Sequence, residues 1–61
     1  MKQWTNDEFE RMLKDNGYWI DRYNGSHHIF VNGKGGHISV PPKICAPIAR
    51  RLIKENNLIC I

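Results

Sequence analysis

The stretch Tyr18-Trp19-Ile20-Asp21-Arg22-Tyr23-Asn24-Gly25-Ser26-His27-His28-Ile29-Phe30-Val31-Asn32 decides the fold. Aromatic and branched side chains dominate it, and these favour a pleated backbone. Asn24-Gly25 interrupts it once, and both residues tolerate the positive φ that a two-residue type I′ turn demands. The reading is therefore a β-hairpin, Tyr18 to Tyr23 and Ser26 to Asn32, that pairs Arg22 with His27 and Ile20 with Ile29. Strand alternation then places Tyr18, Ile20, Arg22, His27, Ile29 and Val31 on a core face. Trp19, Asp21, Tyr23, His28 and Phe30 fall on the outer face. His27, near the turn, is expected to be semi-exposed.

Upstream, Thr5 and Glu8 have the spacing of a capping box, and Trp4 and Phe9 that of a hydrophobic staple across a helix start. Phe9, Met12 and Leu13 recur at helical spacing, and Gly17 suits the left-handed exit, so a first helix spans roughly Asn6 to Asn16. Downstream, the glycine-rich Asn32 to Gly36 reads as a loop and His37 to Val40 as a short third strand, which Pro41 and Pro42 stop. Pro47 suits the first turn of a second helix carrying Ile48, Leu52 and Ile53, and Asn57 its left-handed exit. The order is α-β-β-β-α. A three-stranded antiparallel sheet with both helices on one face, an α+β class, buries these stripes and leaves the other face to solvent.

Sixty-one residues form a single domain with a thin core, since a chain this short buries about 60% of its unfolded surface. With 41% hydrophobic and 25% charged residues, the chain lies outside the composition of disordered segments. Its formal charge of +3 favours a polyanionic partner without requiring one. No apolar run reaches the ~20 residues of a membrane span, and residues 1–7 lack the apolar stretch of a secretory signal, so a cytoplasmic protein without a membrane partner is expected. Cys45 and Cys60 form no CxxC pair and are expected to be reduced packing residues.

The densest reactive cluster is Gly25-Ser26-His27-His28-Ile29-Phe30. Adjacent histidines on a strand point to opposite faces, and adding His37 and Cys45 gives no ligand spacing, so neither a metal nor a cofactor is expected. For His28 and His37 a surface or hydrogen-bonded role is the simpler reading. An imidazole can exchange a proton near neutral pH, which suits His27 to RNA cleavage by attack of a 2′-hydroxyl on the adjacent phosphorus. A second group must assist the leaving oxygen or the phosphorane, and the sequence leaves Arg22, Lys34, His37 and the Ser26 hydroxyl all open. Trp19 and Phe30 suit base stacking or sheet stabilisation, the latter being the commoner role. Lys43, Arg50, Arg51 and Lys54 suit phosphate contacts or a solvated helix face equally.

Through Gly25-Ser26-His27-His28-Ile29-Phe30 the chain resembles the HicA family of bacterial toxin–antitoxin ribonucleases, which share a Gly-Ser-His-x-x-Phe signature. The helix ending at Asn16-Gly17, the hairpin, Ser39-Val40-Pro41 and the closing Arg51-Leu52-Ile53-Lys54 fall in the family's order. The resemblance implies one HicA-like toxin domain over residues 1–61 with a double-stranded-RNA-binding-domain-like fold. It implies metal-independent cleavage of mRNA, with growth arrest unless a HicB-type antitoxin is present. It also implies that His27 is the catalytic histidine, Gly25 the turn glycine, Ser26 the following serine and Phe30 the closing aromatic. Pro47-Ile48-Ala49 departs from the family's Gly-Thr-Leu-like helix start, removing a hydroxyl. Two alternatives remain: a non-catalytic RNA-binding module, and an inactive relic that only binds an antitoxin.

Overall fold

The computed structural model describes residues 3–59. Its elements are α1 (Asn6–Asp15), β1 (Trp19–Asn24), β2 (His27–Val31), β3 (His37–Val40) and α2 (Ala46–Asn56). The strands form one antiparallel sheet in the order β1-β2-β3. This is the expected α+β architecture.

The start of α1 follows from its sequence. Glu8 N–H donates to the Thr5 hydroxyl, and Glu8 Oε1 accepts from Thr5 N–H, both at 3.1 Å. Trp4 and Phe9 meet edge to face at 5.5 Å. Phe9, Met12 and Leu13 of α1 then pack with Tyr18, Phe30, Ile38, Val40 and Ala49 in one core, which Ile48, Leu52 and Ile53 of α2 complete. Both helices therefore cover the same face of the sheet.

The helices also run in the same direction. At the start of α1, the Asn6 amide donates to Pro41 O at 2.9 Å and accepts from Ile44 N–H at 3.1 Å. At its end, the Asn16 amide donates to Ile59 O at 3.0 Å and accepts from Ile59 N–H at 2.8 Å. These two asparagines fix both helix N-termini at the end of the sheet that carries the hairpin turn.

The hairpin departs from its expected register. Asn24 pairs with His27, Tyr23 with His28, Arg22 with Ile29, Ile20 with Phe30 and Trp19 with Val31. The expected pairs Arg22–His27 and Ile20–Ile29 are not formed. Two local causes account for the slip. The turn residues are Gly25 and Ser26, with positive φ only at Gly25 (+64°), which suits glycine at the first central position of a type II′ turn. Between Ile20 and Arg22 the register shifts, leaving Asp21 as the extra residue of a bulge.

A one-residue slip turns every side chain of a strand to the other face. Phe30, expected outside, is 1% exposed in the core, and His28 shares its face. His27, Ile29 and Val31, expected on the core face, lie on the open one. Tyr23 follows His28 to the helix side but stays at the rim, 66% exposed. Cys45, expected to pack, is exposed at the N-cap of α2 and makes no side-chain capping bond. Cys60 lies outside the described residues.

Candidate functional site on the open sheet face

The open face is built by alternation in rows across the three strands. At the turn end stand Asn24 and His27, next come Arg22, Ile29 and Ser39, and then Trp19, Val31 and His37. Ile29 is 7% exposed at the centre yet is not part of the helix-side core, as its register requires. A mostly polar set thus surrounds an apolar centre.

His27 and His28 are neighbours in sequence and opposites in environment. His28 Nδ1 lies 2.7 Å from Glu10 Oε2 on α1, and its ring meets that of Tyr23 edge to face at 4.6 Å. His28 thus ties the hairpin to α1. His27 is exposed, and its side chain makes no hydrogen bond or ion pair to any described residue. Both helix N-termini lie at the same end of the sheet as His27 but on its opposite face, and that of α1 is capped by Thr5 and carries Asp7 and Glu8 in its first turn.

The register separates the candidate partners of His27. Arg22 and Ser39 are its diagonal neighbours on the flanking strands, at ~7–8 Å between Cα atoms. Ser26 precedes it in the turn. His37 is four residues further along and one strand across, about 14 Å away at ~3.3 Å per residue and ~4.8 Å per strand. Lys34, in the loop before β3, lies at that same far end. Arg22 is ion-paired with Asp21, both side chains being well exposed. Lys43 is exposed in the connection after β3, at the His27 end. Arg50, Arg51 and Lys54 are exposed on α2, and no ion pair joins them to a described residue.

Ser39 belongs to this face although the sequence did not mark it as a site residue, and Trp19, read there as a stacking or sheet-stabilising ring, stands on the same face. The β3 alternation, Ile38 and Val40 inward with His37 and Ser39 outward, was the available signal for Ser39. A groove of about 350 Å³ opens on this face between Arg22, Val31, His37 and the backbone of Gly33, Gly35 and Gly36. A larger hollow, about 640 Å³, runs along α1 from Trp4 to Ile59, but none of the predicted site residues lines it. Among the described residues, no three of His, Cys, Asp and Glu cluster as metal ligands.

The fold and site define a small α+β domain with an exposed histidine, unpartnered among the described residues, on the open face of its sheet. Its family is more specific. Residues 7–56 match the family described as the HicA toxin of bacterial toxin–antitoxin systems, and the chain belongs to that family. No curated protein and no solved structure matches it. No helix among the described residues is long and apolar enough to cross a membrane.

Proposed function

We infer that the protein is an endoribonuclease, an mRNA interferase that cuts RNA without a metal ion through His27 and that a HicB-type antitoxin neutralises in the cytoplasm. One observation carries this reading: in a HicA-family chain, the histidine of Gly25-Ser26-His27 is exposed on the open face with its ring unengaged. A ring committed to a structural hydrogen bond, as that of His28 is, has less freedom to move a proton. The imidazole of His27 takes the proton of a ribose 2′-hydroxyl as that oxygen bonds to phosphorus. The P–O5′ bond then breaks and a proton reaches the 5′-oxygen, leaving a 2′,3′-cyclic phosphate and a 5′-hydroxyl. Arg22, Ser26 and Ser39 are the groups near enough to His27 to steady the phosphorane or the leaving oxygen. Lys43, exposed at this end, favours the phosphate there.

Acid–base catalysis by one such group contributes ~10²–10⁴-fold, so the enzyme is slow and its toxicity rests on persistence. The test is cleavage of RNA in EDTA by the purified protein and by His27→Ala. Cyclic-phosphate ends from the native chain, and none from a folded His27→Ala, are expected. RNA binding without cutting at any protein excess would identify a binding module instead. Co-expression with a neighbouring antitoxin should restore growth, whereas binding with no toxicity to relieve would identify a relic.

A further inference from the structure

The groove at the far end of the open face shares only Arg22 with the groups placed near His27, and its other lining residues have no role in the chemistry assigned there. Its lining is specific in kind. Arg22 and His37 supply its polar side chains, Val31 forms an apolar floor, and Gly33, Gly35 and Gly36 contribute bare backbone. No carboxylate lines it directly, and the Asp21 carboxylate that pairs with Arg22 is exposed, so a phosphate must compete with that ion pair. Lys34 is exposed on the same loop. At about 350 Å³ it lies near the lower end of the range for small-ligand sites, too small for a duplex to enter.

The loop that walls the groove is held in place before any ligand arrives. The Asn32 side-chain oxygen accepts from Lys34 N–H at 2.8 Å and from Gly36 N–H at 3.0 Å, while Asn32 N–H donates to Gly36 O at 3.2 Å. Trp19 braces it from the β1 side. A Cβ at Gly33 would stand 2.9 Å from Trp19 Cη2, so the indole lies directly on that glycine, whose φ is +76°. The ring nevertheless remains 51% exposed. A rigid, side-chain-free wall lets a flat ring approach the backbone closely, and cations at the rim suit a phosphate.

We propose that this groove takes one nucleotide of single-stranded RNA, its base over Val31 against the glycine backbone and its phosphate between Arg22 and His37. This rests on the RNA-cutting reading and adds a second contact point to it. His27 and the groove share one face, with His37 at the groove's far side about 14 Å from His27 along β2 and β3, so one unpaired strand can lie across Ile29 and touch both. The groove then selects unpaired RNA and holds the strand while His27 acts. His37 is a binding residue in this arrangement, and Trp19 positions the loop.

The experiment follows the amide signals of His27→Ala protein by NMR as a short oligouridylate is added, alongside steady-state cleavage by the native chain and by His37→Asn. Shifts at Gly33, Gly35 and Gly36 are expected. His37→Asn should bind about tenfold more weakly, the size of a lost charge-assisted hydrogen bond. Its KM should rise by that factor while kcat changes much less. Shifts confined to α2, with RNA still cut and KM unchanged in His37→Asn, would overturn the groove and leave His27 standing. A native chain that neither binds nor cuts the oligonucleotide would overturn the RNA reading, and the groove with it.

Discussion

The two faces of the sheet are made from alternate residues of the same strands, yet they do different work. The helix side carries Phe30, Ile38 and Val40, each at most 2% exposed, against Phe9 and Leu13. The open side carries Arg22, His27, Ser39, His37 and Trp19 around Ile29. In a domain this small no core residue can be given up to chemistry, so the candidate site residues occupy the face that the helices leave bare. His27 and His28 show the division within one dipeptide: one ring joins elements together, and the other is uncommitted. Substitutions should therefore separate cleanly into those that unfold the chain and those that silence it.

The largest effect is expected at Phe30. Phe30→Ala should lower stability by about 3–5 kcal/mol. Total stability for 61 residues is on the order of 3–9 kcal/mol, so little folded protein should remain by circular dichroism. A well-folded Phe30→Ala would contradict the observed register and restore the one in which this ring faces solvent. Gly33→Ala comes next, combining a positive φ with a clash against Trp19, and should cost about 1–2 kcal/mol in urea denaturation. Its sharper readout is a changed indole environment, followed by tryptophan fluorescence in a Trp4→Phe background.

His28→Ala removes a half-exposed bond to Glu10 and should cost about 1 kcal/mol while RNA cleavage persists. Loss of cleavage in a folded His28→Ala would erase the distinction between the two histidines. Smallest in stability is Ser39→Ala, expected within ~0.5 kcal/mol of the native chain because its side chain is exposed. If Ser39 helps hold the phosphorane, the same variant should cut RNA roughly tenfold more slowly.

Local sequence was enough to read the elements and their order. The Thr5–Glu8 box, the Trp4–Phe9 staple and the asparagine exit at Asn57 are short-range signals, and each is formed. Register was not legible, because it depends on a single residue at each of two places. Asn24-Gly25 offers a turn, but nothing in those two letters prevents the chain from turning one residue later on Gly25-Ser26. The bulge at Asp21 then breaks the alternation that sequence reasoning must assume to be continuous. His27 was expected to be partly exposed because it lay past the apolar patch of a core face. It is exposed because it stands on the opposite face. The groove was hidden for a related reason: Arg22, Val31, His37 and the glycine loop come together only across three strands and a connection.

The most direct test of the central claim is a paired measurement on His27→Ala: urea denaturation, and cleavage of a single-stranded RNA in EDTA. Stability within ~0.5 kcal/mol of the native chain, with cleavage down by at least about 10²-fold, is the predicted result. Undiminished cleavage by a folded His27→Ala protein would contradict it.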